Sequence, residues 1–150
     1  MNTQTLAPIV QEISIDAPPE RIYAALTQPE ELTKWWGSDD SYHCTEMVAD
    51  VRTGGAWRTR GVGRDGKPFL VEGVYRVVEP PHALEFTWRH DWGDGSIDRE
   101  TVVRYDLIPQ GSSTLLRVTH SGWEDIPSRD DHNQGWQTVL RWVKAHVEGK

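Results

Sequence analysis

Two side chains in the second half of the sequence have the residue types that proton transfer requires. His120 alternates with Leu116 and Val118 along the last predicted strand, and Tyr105 has the same inward parity on the strand before it. Because the ordinary pKa of an imidazole is about 6.5, His120 could act as a general acid–base or donate a hydrogen bond to a ligand. The alternative is a structural histidine, bonded to neighbouring backbone or to Tyr105. His120 and Tyr105 are therefore the candidate catalytic residues, although their residue types do not identify a particular reaction.

The sequence contains no motif that identifies a particular reaction. His43 and Cys44 are adjacent, and neighbours on an extended chain point to opposite faces, so they do not readily converge on one atom. Asp91, Asp94 and Asp98 lack the spacing and the terminal glutamate of a calcium loop. No glycine-rich phosphate loop, serine elbow or paired-carboxylate motif is present. We therefore predict neither a metal nor a cofactor.

Aromatic residues are the second informative feature, because the sequence contains eight tryptophans. Each inward-facing aromatic residue, taken alone, is most simply a core residue. Buried tyrosines and tryptophans need hydrogen-bond partners, however, so several of them together predict a cavity with aromatic walls and a few polar groups. The predicted cavity residues are Trp57, Tyr75, Phe86, Trp88, Tyr105, His120 and Trp136, with Trp36 at the rim.

The elements that must position these residues follow from the hydrophobic period. Alternation of isoleucines with polar residues predicts a first strand over residues 9–15. Two short helices follow, each with a proline in its first turn, and the second ends at Trp35-Trp36-Gly37. Inward and outward residues alternate with a period of two from Thr45 to His120, which predicts a series of strands. An amphipathic helix starting near Ser128 to Asp131 closes the chain. One helix across one curved sheet favours a hollow over a solid core.

Length and charge limit the class of protein. We predict a single domain over residues 1–150, since this length suits one domain. The formal net charge of −7 argues against nucleic acid or an anionic membrane as partner. Cys44 is the only cysteine, which excludes an intramolecular disulfide and is typical of a reducing compartment. With no signal-peptide pattern at the N-terminus, we predict a cytoplasmic protein.

Five runs of sequence together resemble one known family. The chain is similar to homologues of the activator of heat-shock-protein-90 ATPase, which belong to the START-like (SRPBCC), pollen-allergen-like superfamily. Each run is a weak motif by itself, but their order is specific for the family and they extend over nearly the whole chain. The runs are 16–27, 29–37, 50–55, 80–88 and 119–123, the last followed by Gly135-Trp136.

The resemblance implies a fold and a cavity. The fold is the α+β helix-grip fold, a seven-stranded antiparallel sheet wrapped around a long C-terminal helix, with two short helices after the first strand. The cavity lies between sheet and helix, and relatives on this scaffold bind or process varied small molecules. The eukaryotic co-chaperone joins such a domain to a separate N-terminal region, whereas this sequence begins at the first strand. That difference argues against chaperone contact here.

Three functions remain open at this point. The preferred one is binding of a hydrophobic or aromatic small molecule in the cavity, oriented by His120 and a tyrosine hydroxyl. The second is a cyclase, lyase or hydrolase that uses His120 or Tyr105 for proton transfer. The third is a protein partner, which would need an exposed apolar patch that the alternation does not predict. Trp92, in the acidic loop after His90, is interpreted as a lid residue or as a contact in a homodimer.

Overall fold

The computed structural model describes residues 6–37, 42–63, 66–91, 100–124 and 126–149. Trp92, Asp94, Asp98 and the side chain of His43 lie outside this description, so the predictions made for them stay open. The described elements are one seven-stranded antiparallel sheet and three helices, which confirms the predicted fold. They are β1 (Ile9–Ile15), α1 (Pro19–Thr27), α2 (Pro29–Trp35), β2 (Tyr42–Ala49), β3 (Ala56–Gly63), β4 (Pro68–Glu79), β5 (Ala83–Asp91), β6 (Thr101–Gln110), β7 (Ser113–Ser121) and α3 (Ile126–Glu148).

The strand order is β1-β7-β6-β5-β4-β3-β2, so the first and last strands of the chain are neighbours. Every pair is antiparallel, and β2 to β7 form the meander that the period of two predicts. Buried and partly buried residues alternate along β6 and β7. The buried face of the sheet packs against the helices, and this interface is the hydrophobic core.

Prolines determine where α1 and α2 begin. Both helices carry proline at the first helical position, where the missing N–H would have no partner within the helix. Gln28 is the C-cap of α1 and the N-cap of α2, so no free linker separates them. The indole of Trp35 on α2 donates to the carbonyl of Ala25 on α1 at 2.8 Å. The two helices therefore form a single layer that packs on the sheet, with α2 against β2 and α1 against β6.

The long helix α3 begins earlier than the sequence predicts. It starts at Ile126, whereas capping residues predict a start between Ser128 and Asp131. Pro127 permits the earlier start, because proline is tolerated in the first helical turn. The buried side of α3 carries Trp136, Val139, Leu140 and Val143, which recur at helical spacing, and Val147 continues the stripe as a partly buried residue. Within the described part of the chain, none of the helices has the length and apolar character needed to cross a membrane.

Candidate ligand cavity

A cavity of about 30 Å³ lies between the sheet and the α1–α2 layer. That volume has room for about two water molecules. It is small because the aromatic rings of the wall pack on one another: the ring centroids of Trp57 and Phe86 are 5.2 Å apart, and those of Phe86 and Tyr105 are 5.7 Å apart. The interior is therefore fuller than the hollow that parity alone predicts. The lining residues are Leu26, Leu32, Trp36, Met47, Trp57, Thr59, Tyr75, Phe86, Trp88 and Tyr105.

Six of the eight residues predicted for the cavity lie on its wall, and two lie behind it. His120 and Trp136 are buried but do not line the cavity. Sequence reasoning missed four wall residues, and three of them had a usable signal. Leu26 is in the buried stripe of its helix, Met47 faces inward on β2, and Thr59 has the same parity as Trp57 on β3. Leu32, the fourth, lies on α2 near Trp36.

Trp57 is held in the wall by an interruption of the sheet. The pairing of β4 with β5 runs to Glu72↔Arg89 and resumes at Tyr75↔Phe86. In the gap, the carbonyl of Thr87 accepts the indole N–H of Trp57 at 3.1 Å, and the hydroxyl of Thr87 accepts the backbone N–H of Val74 at 2.8 Å. Gly73 leaves the space for this arrangement.

A side chain at position 73 would remove that space. A Cβ there would lie 1.9 Å from the Thr87 carbonyl oxygen and 2.7 Å from Nε1 of Trp57. Both distances are far shorter than a van der Waals contact between such atoms. Glycine is therefore the residue that allows Trp57 to cross β4 and reach β5.

His120 is the centre of a buried hydrogen-bond chain. Its Nδ1 accepts the indole N–H of Trp136 at 3.0 Å, so the proton of the neutral ring belongs on Nε2, which faces the Thr101 hydroxyl at 2.6 Å. That hydroxyl donates in turn to the backbone carbonyl of Trp88 at 3.2 Å. Burial, reinforced by nearby His132, holds the pKa of His120 well below its ordinary value. The imidazole therefore stays neutral and links β5, β6, β7 and α3.

The hydrogen-bond partners of His120 differ from those expected for a structural histidine. Tyr105 is not its hydrogen-bond partner; Thr101 and Trp136 are. Both ring nitrogens are engaged within the protein and the residue is 0% exposed. These hydrogen bonds connect His120 to Trp136 and, through Thr101, to the strand that carries Trp88.

Trp88 differs from the other buried tryptophans. The indole N–H groups of Trp35, Trp57, Trp123 and Trp136 each donate to an acceptor within 3.1 Å. Nε1 of Trp88 is buried and has no hydrogen-bond partner among the described residues. Since native proteins pair nearly all buried donors, Trp88 is an exception among the described tryptophans of the cavity wall.

Three histidines that are scattered in the sequence lie close together behind Trp88. The ring centroid of His132 is 5.5 Å from that of His120 and 6.2 Å from that of His90. His132 Nδ1 lies 2.9 Å from the carbonyl oxygen of Ser128, one turn earlier in α3. Within the described ranges, no group of three ligating side chains has the geometry to hold a metal ion. None of the three histidines is among the lining residues of the cavity.

The tyrosines near the cavity are held in their neutral form. Burial raises the pKa of Tyr23 to about 12, and its hydroxyl donates to the carbonyl of Ala83 at 3.2 Å. Burial also raises the pKa of Tyr75, with smaller contributions from Tyr23 and Asp50. The described wall contains no carboxylate, ammonium, guanidinium or imidazole group. Its surface is therefore uncharged at neutral pH.

A single carboxylate joins the three helices at the edge of this layer. Glu31 on α2 lies 2.6 Å from a guanidinium nitrogen of Arg21 on α1 and 3.0 Å from Nε2 of His146 on α3. Desolvation opposes its ionisation, but hydrogen bonds from His146 and Arg21 outweigh it and lower the pKa of Glu31. The cluster fixes the position of the α1–α2 layer relative to α3.

Solved structures share this architecture. Protein CV1439 from Chromobacterium violaceum is 28% identical with a TM-score of 0.81, and the match covers 94% of this chain and 96% of that one. The AHSA1 protein from Silicibacter pomeroyi is 26% identical with a TM-score of 0.82, covering 95% and 98% of the two chains. CalU16 from Micromonospora echinospora, at 21% identity and a TM-score of 0.72 over 93% and 75%, has a similar fold.

The family comparison agrees with the structural one. No match is found among curated protein sequences. The family model described as "Activator of Hsp90 ATPase homolog 1-like protein" matches residues 16–148, which include all but the first strand and the chain ends. The match confirms the family that the five sequence runs predict. The chain therefore belongs to the family of proteins similar to activator of Hsp90 ATPase homolog 1.

Proposed function

We propose that this protein binds a small, uncharged hydrophobic or aromatic molecule in the cavity between the sheet and the α1–α2 layer. The observation that carries the proposal is the composition of the wall: six aromatic rings with no ionisable side chain other than two tyrosines. The family scaffold is in general a ligand-binding one. Burial of apolar surface, at about 25 cal/mol per Å², would supply the affinity.

We propose that Trp36 is the wall residue that moves to admit a ligand. The cavity of about 30 Å³ is too small for an aromatic molecule, so one part of the wall has to give way. Trp36 is only partly buried, whereas Trp57, Phe86 and Trp88 are each at most 7% exposed. Its ring lies 6.0 Å from that of Trp88, and it is followed by Gly37 at φ 113°, a position that allows the backbone to turn away. Outward rotation of this indole would vacate space beside Trp88.

The catalytic alternative receives no support from the geometry. A general acid–base must reach the substrate, and His120 is behind the wall with both nitrogens engaged. Tyr105 lines the cavity, and we propose that it contacts the ligand. A cytoplasmic location and a homodimer remain predictions from the sequence, as does the expectation against chaperone contact.

The proposal is tested by ligand-induced stabilisation. Thermal unfolding is measured with neutral aromatic compounds and with carboxylates of matched size, for the wild type and for Trp36→Ala. Neutral compounds are expected to raise Tm and carboxylates are not, because a ligand that binds only the native state stabilises it by mass action. Trp36→Ala should bind the neutral compounds more tightly, since the indole no longer has to be displaced.

A matched variant separates the cavity from the rest of the surface. Val74→Ala, at an exposed valine on the other face of the sheet, should retain the wild-type Tm shifts. If no neutral compound stabilises either the wild type or Trp36→Ala, the binding function is refuted.

A further inference from the structure

The ring of Trp88, which carries the unpaired donor, is part of the cavity wall, and Nε1 itself is buried in this conformation. The Trp88 ring is 6.0 Å from Trp36 and 5.6 Å from Trp57, the two wall tryptophans on its cavity side. Behind it is the His120 ring at 5.6 Å. Trp88 is thus the boundary between the cavity and the buried hydrogen-bond chain.

The polar side chains of the hydrogen-bond chain behind Trp88 are engaged with one another, and the ring of His132, 6.1 Å from that of Trp88, has its Nδ1 at the Ser128 carbonyl. Nδ1 of His120 accepts from Trp136, and the Thr101 hydroxyl is engaged with Nε2 of His120 and with the Trp88 carbonyl. On the cavity side, the indole of Trp57 is a donor that is itself committed to Thr87. The described surroundings therefore stabilise the ring of Trp88 without accepting its N–H.

We infer that Trp88 selects the ligand by donating its indole N–H to it, so that the preferred ligand is a neutral aromatic molecule with a carbonyl or ether oxygen. This inference rests on the proposed function and adds the ligand's chemical class to it. An anionic acceptor such as a carboxylate is disfavoured, because the described wall offers no positive charge to offset its desolvation. A hydrocarbon would fill the space but leave the buried donor unpaired.

Two compounds of nearly the same shape test the inference. Acetophenone has a carbonyl oxygen where α-methylstyrene has a methylene group, so the pair differs chiefly in the acceptor. We expect the full-length wild-type protein to bind acetophenone about tenfold more tightly, as an added buried hydrogen bond predicts. Titration followed by ¹H–¹⁵N NMR should shift the Trp88 indole N–H signal downfield with acetophenone and not with α-methylstyrene.

Two matched variants assign the preference to one indole. Trp88→Phe should bind both compounds with the same affinity, because the donor is lost. Trp57→Phe removes a ring of the same wall whose N–H is already committed to Thr87, so it should retain the preference for acetophenone even where overall affinity falls. If Trp88→Phe fails to fold, the NMR shift in the wild type decides.

The outcomes distinguish this inference from the proposed function. Equal affinity of the wild type for the two compounds, with no change in the Trp88 N–H signal, overturns the inference and leaves the binding function standing; a fixed water that pairs with Trp88 would give this result. Retention of the preference in Trp88→Phe also overturns it. Absence of binding by both compounds, in the wild type and in Trp36→Ala, overturns the inference, and the binding function is then decided by thermal unfolding of the two proteins with the other neutral compounds.

Discussion

Acid should destabilise this protein through His120. The native imidazole is buried with a lowered pKa, whereas the unfolded chain exposes an imidazole of pKa about 6.5. Below that pH the unfolded state binds a proton that the native state does not bind. The contribution of His120 to the free energy of unfolding is therefore complete above about pH 6.5 and is lost as the pH falls below it. For one such group, the free energy of unfolding should decrease by about 1.3 kcal/mol between pH 7 and pH 5.5.

The contribution of His120 is isolated by comparing variants in urea denaturation at the two pH values. His120→Gln retains a donor and an acceptor but does not titrate, so its stability should fall by about 1.3 kcal/mol less than that of the wild type over this interval. Thr101→Val provides the control, since it removes one hydrogen bond of the same chain and keeps the imidazole. It should be less stable at both pH values, with the pH dependence of the wild type.

The reasoning is refuted if the wild type and His120→Gln lose the same free energy of unfolding between pH 7 and pH 5.5. Should the variant not fold, the wild type still provides the test. The His120 ring signals in its NMR spectrum should then keep constant chemical shifts over the interval. A titration of these signals with an ordinary midpoint would contradict the buried, neutral imidazole.

Three further outcomes are expected. Gly73→Ala should lower the free energy of unfolding by roughly 1–3 kcal/mol in urea denaturation and shift the Trp57 indole N–H signal, because the new methyl group meets a backbone carbonyl of β5; an unchanged signal would contradict this. Glu31→Gln should cost roughly 1 kcal/mol at pH 7, with the difference from the wild type shrinking as acid protonates the carboxylate; equal stability at pH 7 would show that the carboxylate does not hold the helices together. In ultraviolet titration, Tyr23 and Tyr75 should remain un-ionised at pH 11 in the native protein and ionise on unfolding, so their contribution to stability is lost as the pH rises above about 10.

The fold could be predicted because its signals are local. Prolines at the first helical positions, a period of two along the meander and a helical stripe around Trp136 each depend on residues close in sequence. Inward parity also identified most of the cavity wall, since it needs only the pleat of each strand. Parity does not predict the volume of the cavity, because that volume depends on how the rings of different strands pack on one another.

The partners of His120 could not be predicted for a related reason. The pairing of β6 with β7 places Val103 opposite His120, which makes Thr101 its diagonal neighbour on the same face. That register is not visible in either strand alone. The grouping of His90, His120 and His132 depends in addition on where α3 crosses the sheet. The spacing of the histidines in the sequence does not predict this crossing point.

The neighbourhood of β1 and β7 has a consequence for synthesis. β1 ends at Ile15 and its partner begins at Ser113, so β1 leaves the ribosome well before the strand with which it pairs. At about 5–20 residues per second, translation of the intervening chain takes roughly 5–20 s. During that time Ile9 and Ile15, which end 1% and 0% exposed, have no strand to pair with. Nascent chains of this protein should therefore depend on chaperones that hold exposed hydrophobic segments, and the completed sheet should form only after β7 has emerged.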